Sequence, residues 1–166
     1  MKPRIAYLCI LASMVGLLLF LGAGVSQSAS PPKATGGVWF TTIESGEEVQ
    51  HRVEFQVHEE YGGQPDKGWL SHRDSDGNWI RVDVDCVTIY GDHAFFSGVI
   101  VSASDDGQVG NWLLAAVQDG GSPGTKGDHV WGEMYDYDPG CAAGTFPPGG
   151  PWDVEKGNLV VHPGTD

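Results

Sequence analysis

Six histidines, at 51, 58, 72, 93, 129 and 162, are the side chains best suited to exchange protons near neutral pH. They are scattered along the chain, and no HExxH or GxSxG spacing accompanies them. His51 falls on the apolar side of an alternating segment, where a hydrogen-bonded core histidine is the expected outcome. Glu133 and Asp136 come nearest to the paired carboxyl groups of sugar hydrolysis. Three positions apart on an extended strand, they point to opposite faces. Catalysis, in the form of a small hydrolase, is therefore the least favoured role.

Two acidic stretches raise the question of calcium. The segment HRDSDGNWIRVD, residues 72–83, holds an Asp-Gly pair and an Asn. A twelve-residue calcium loop places glycine at position 6 and a bidentate acid at position 12. Counted from Asp74, Gly77 stands at position 4 and Trp79 at 6, so Asp76 and Gly77 are read as the turn of a hairpin. The segment VQDGGSPGTKGD, residues 117–128, sets Asp119 and Asp128 at the ends of a glycine-rich loop. Aspartates in such places commonly accept from backbone amides and hold the turn's shape. Calcium between Asp119 and Asp128 is the alternative, and no other cofactor is expected.

Six tryptophans, at 39, 69, 79, 112, 131 and 152, are many for 166 residues. Flat rings beside acids and amides suit sugar binding, and Trp79, Trp69 and Trp152 are the candidates for ligand contact. Trp79 stands opposite the alternating Ile80, Val82 and Val84; Trp39, Trp112 and Trp131 lie in apolar runs and are read as core.

The elements that must position these groups begin after a leader. Lys2 and Arg4 precede an uncharged apolar run from Ile5 to Val25, and Ser26, Gln27, Ser28, Ala29 and Ser30 follow it directly. That order reads as a secretory signal peptide over 1–29, with a membrane anchor as the alternative; the small residues against the run favour cleavage. Residues 30–36 are expected to be a flexible tail and 37–163 a single domain, since the remaining length supports one core. The whole chain carries 9 basic and 22 acidic side chains, and loss of Lys2 and Arg4 takes the net charge from −13 to near −15. Such a surface repels phosphate backbones and anionic lipid, so neither nucleic acid nor membrane insertion after cleavage is expected.

Cys86 and Cys141 survive processing, and in an oxidising compartment they have one intramolecular pairing open to them. A disulfide is expected, closing a 55-position loop worth roughly 4 kcal/mol in the chain-entropy model. Zinc is not expected, because neither cysteine has a second at ligand spacing.

Period-two patterning dominates what is left. Val49, His51, Val53, Phe55 and Val57 alternate with Gln50, Arg52, Glu54, Gln56 and His58, one buried face against one wet face. Further strands are read around 68–73, 80–84, 86–90, 94–102, 112–118, 129–135 and 158–162. About eight strands joined by Gly, Asp and Pro turns predict an all-β fold, a single antiparallel β-sandwich or β-barrel.

The succession VDCVTIYGDHAFFSGVI, VQDGGSPGTKGD, a second cysteine among prolines and KGNLVVH resembles a group of secreted bacterial domains, some labelled post-COAP domains. The similarity spans roughly 36–162. It implies a secreted all-β domain with the cysteines joined, and it brings no established activity and no functional residues. The expected role is thus a secreted, acidic, noncatalytic structural or interaction domain. Its alternative is a module binding glycan or another cell-envelope component through exposed tryptophans.

Overall fold

The computed structural model describes residues 30–121, 124–142 and 150–165, so the leader assigned to 1–29 lies outside the described residues. Nine strands are formed: β1 (Lys33–Glu44), β2 (Glu47–His58), β3 (Lys67–Asp74), β4 (Trp79–Tyr90), β5 (His93–Ala103), β6 (Trp112–Gln118), β7 (His129–Tyr135), β8 (Trp152–Asp153) and β9 (Lys156–His162). Among the described residues the sole helical piece is the 3-10 turn Asp106–Gln108. None is long and apolar enough to cross a membrane.

All strands join one antiparallel sheet in the order β8-β7-β6-β5-β4-β3-β2-β1-β9. The sheet curls into a half-barrel around the core. Val38, Phe55, Val57, Leu70, Val82, Phe96 and Ile100 are buried inside it. This continuity corrects the sandwich alternative, which needs two sheets. It also corrects the count. The runs 80–84 and 86–90 form one strand, β4, with register shifts at Arg81/Val82 and Val84/Cys86. Two strands, β1 and β8, carry no period-two pattern that marks them. Lys33–Gly36, assigned to a tail, pair with β2 on one side and β9 on the other.

The shift after Val84 decides where Cys86 goes. An extra residue in one strand flips the alternation, bends the sheet and turns the next side chain outward. Val84 and Val87 both enter the core, and Cys86 faces the outer surface, where it bonds Cys141 as expected (Cα–Cα 5.7 Å). The partner strand accommodates the bulge with Gly98, at which a Cβ would sit 2.1 Å from the Asp83 carbonyl oxygen. A disulfide in this place is compatible with an extracellular protein.

The outer surface of β5–β7 is covered in turn. Phe95, Ala116 and Trp131 form a second small core there, with Leu114 and Trp152 packed against it. Gly150 presses on Trp131 so closely that a Cβ would lie 2.1 Å from the indole Cδ1.

At one end a short stretch spans the two sheet edges. Trp152 and Asp153 pair with β7, Val154 N donates to Asp128 O (3.0 Å), and Glu155 N donates to Trp39 O (2.8 Å). β9 pairs β1 only as far as Trp39, and β8 pairs β7 only at His129 and Val130. Beyond those points the outer edges of β1 and β7 have no strand partner among the described residues.

Candidate functional site

The inner faces of β1 to β7 enclose a cavity of about 470 Å3. Its apolar wall includes Phe40, Val53, Leu70, Ile80, Phe96 and Leu113, and Trp152 lines it where the sheet edges approach. Volume and lining are those of an ordinary small-molecule site, mostly apolar with a few convergent polar groups.

Four rings form a ladder along one wall. Trp152 stacks on Phe40 (centroids 5.2 Å, 9°), Phe40 on His51 (4.9 Å, 17°), and His51 on His72 (5.2 Å, 19°). Strand register explains the order. Phe40 is the direct cross-strand partner of His51, whereas His72 sits opposite Val53, diagonal to His51. Side chains on one face of neighbouring strands have little choice but to meet.

The histidines are also joined by hydrogen bonds. His51 Nδ1 lies 2.9 Å from His72 Nε2, and His51 Nε2 lies 2.8 Å from Thr42 Oγ1 and 3.3 Å from Glu44 Oε1. Thr42 Oγ1 in turn donates to Glu44 Oε1 (3.1 Å). A carboxylate only accepts, so it sets the direction of the chain. With both rings neutral, His51 Nε2–H donates to Thr42, His72 Nε2–H donates to His51 Nδ1, and His72 Nδ1 remains an acceptor. Burial, then the neighbouring His51, holds the His72 pKa below its ordinary value, against smaller opposing pulls from Asp74 and Glu44.

The rim is polar and acidic. Glu44, Asp74, Asp105 and Glu133 line the cavity with Asn78 and Gln108, and among the described residues no lysine or arginine does. Asp74 closes the β3–β4 hairpin: Oδ1 accepts from Asp76 N (3.0 Å) and Asn78 N (2.8 Å), and Oδ2 from Asn78 Nδ2 (2.8 Å). Desolvation opposes ionisation of Asp74, but the Asn78 and Asp76 bonds outweigh it and hold the pKa below the usual carboxylate value. With Gly77 at φ 91°, the segment 74–78 is the hairpin turn read from the sequence. Glu133 Oε2 accepts from Tyr135 Oη (2.6 Å), which pushes the phenol pKa up to about 12.

The three candidate tryptophans divide. Trp152 is a rung of the ladder and Trp79 lines the cavity at its rim, 36 % exposed. Trp69 is not part of the lining; it lies on the outer face between Gln56 and Asp83. Trp131 is buried as expected.

Asp119 and Asp128 hold backbone. Asp119 Oδ1 accepts from Gly121 N (2.8 Å) and Oδ2 from Val161 N (3.0 Å), while Asp128 Oδ1 accepts from Gly120 N (2.9 Å). Of these four carboxylate oxygens, Asp128 Oδ2, buried, has no hydrogen-bond partner among the described residues. Asp66 approaches Cys86 and Cys141, but those sulfurs are bonded to each other and offer no thiolate.

Sequence reasoning found His51 on a buried face and did not find its partners. The other described histidines lie elsewhere: His93 meets Asp92 (2.6 Å) and His129 meets Asp153 (3.0 Å). The available signal was parity, which puts Leu70, His72 and Asp74 on one side of β3. The chain matches no protein-family model, no curated protein and no solved structure.

Proposed function

We propose that the protein is a secreted, noncatalytic interaction domain that takes a small molecule into the half-barrel cavity. The carrying observation is the ring ladder Trp152–Phe40–His51–His72 along a mostly apolar cavity of about 470 Å3. The ring edges of the ladder and the apolar wall supply area for a flat or aliphatic body, and the histidine network supplies a fixed hydrogen-bonding direction. The leader-like start and the disulfide support secretion.

A glycan ligand is the second reading, favoured by Trp79 at the rim with Asn78, Asp105 and Gln108. The apolar depth of the cavity fits a sugar less well than it fits a hydrocarbon body.

Gly132 provides the test. A Cβ there would have only ordinary contacts, 3.7 Å from Leu113 Cδ1 and Leu114 O, so Gly132→Leu should fill the cavity without breaking the strand. Calorimetry with naphthylmethanol is expected to show binding to the native domain and none to the variant, at a similar melting temperature. Equal binding by both would move the ligand out of the cavity, and binding of soluble glycans unaffected by Gly132→Leu would favour a surface site.

A further inference from the structure

Resting on the cavity reading above, we infer that its ligand is a small organic cation, an amine with an apolar body, its charged head at the acidic rim and its body along the ring ladder.

Charge complementarity carries the choice. Among the described residues every ionisable side chain that lines the cavity is a carboxylate or a histidine. An anionic ligand would lose its hydration and meet no lysine, no arginine and four carboxylates. A neutral apolar ligand would gain nothing from the charge of those carboxylates. An ammonium gains from them, and the attraction grows as water is displaced from the lining.

Two carboxyl groups are placed to receive it. Glu44 uses Oε1 for Thr42 and His51, and Asp105 uses Oδ1 for Gly107 N (2.9 Å). Glu44 Oε2 and Asp105 Oδ2 make no hydrogen bond among the described residues. The hydrogen-bond chain points the same way, because it starts at the Glu44 carboxylate and leaves His72 Nδ1 as an acceptor. A protonated amine brings only donors, which is what these acceptors require.

The experiment uses the mature domain and three ligands of one body and similar head size: naphthylmethylammonium, naphthylmethanol and naphthoate, titrated by calorimetry. The ammonium is expected to bind at least about ten-fold more tightly than the alcohol, with the carboxylate weakest. Glu44→Gln and Asp105→Asn should each reduce the ammonium preference several-fold and leave the alcohol within about two-fold. Asp85→Asn, remote from the lining, should change neither and so controls for the general negative surface. Equal affinity for ammonium and alcohol, or tightest binding of the carboxylate, overturns the cation assignment and leaves the cavity reading standing. A preference that survives Glu44→Gln and Asp105→Asn also overturns it. Failure of all three ligands to bind overturns both.

Discussion

His51 and His72, 21 positions apart, share a hydrogen bond of 2.9 Å and a stacked ring contact on the inner wall of the half-barrel. Two imidazoles so placed resist sharing two positive charges. Burial and His51 therefore keep the His72 proton affinity low in the folded protein, while in the unfolded chain it returns to about 6.5.

The sign for stability follows from proton uptake. Below pH 6.5 the unfolded chain gains a proton on this residue before the folded protein does, so stability falls as pH drops through 6.5 toward the lower folded value. Urea midpoints measured between pH 7.5 and 5 are expected to decline, and His72→Gln should flatten the slope. An unchanged slope in that variant would remove His72 as the cause.

Opening the Cys86–Cys141 bond should lower stability by roughly 4 kcal/mol from loop entropy alone, since 55 positions separate the cysteines. Thermal melting with and without reductant measures it. A loss below about 1 kcal/mol would mean that packing alone holds the segment around Cys141 on β4.

Gly157 and Gly132 both lie in strands and should respond oppositely to alanine. Gly157 has φ 110° and would bring a Cβ within 2.0 Å of the Gly37 carbonyl oxygen. Its replacement is expected to cost about 2 kcal/mol or more. Gly132→Ala, whose Cβ would meet only ordinary contacts at 3.7 Å, should be neutral or stabilising by about 0.5 kcal/mol. Denaturant curves of the two variants check the contrast.

Asp119 and Asp128 should act as braces for backbone. Asp119→Ala leaves Val161 N and Gly121 N without acceptors and is expected to cost about 1–3 kcal/mol. A chelator should leave the melting temperature unchanged, because three of the four carboxylate oxygens already accept amides. A fall in melting temperature on chelation would instead assign calcium there.

What could be read from residue types was whatever depended on local pattern. The alternation of Val49 to Val57 made β2 plain, and two remaining cysteines defined the disulfide by elimination. β1 escaped because Gly36 and Gly37 interrupt its pattern. The fold explains Gly36: a Cβ would lie 2.5 Å from the Phe55 ring, so the strand cedes that space to its neighbour. β4 reads as two runs because its bulge at Asp85 and Cys86 resembles a strand end. The histidine pair was hidden for a different reason. Its geometry depends on the β2–β3 register, and the 59–66 connection between those strands carries no signal that specifies it.

Among the described residues the half-barrel leaves two stretches of strand edge unfinished, β1 past Trp39 and β7 past Val130. Bare edges of this kind invite copies of a chain to stack into fibres. Here they end in Glu44 and beside Glu133, on a molecule with a net charge of −13, so approaching copies repel before amides can zip. The protection is ionic, and its weak point is brine: at molar salt, where charges are felt over only about 3 Å, linear polymers should begin to grow.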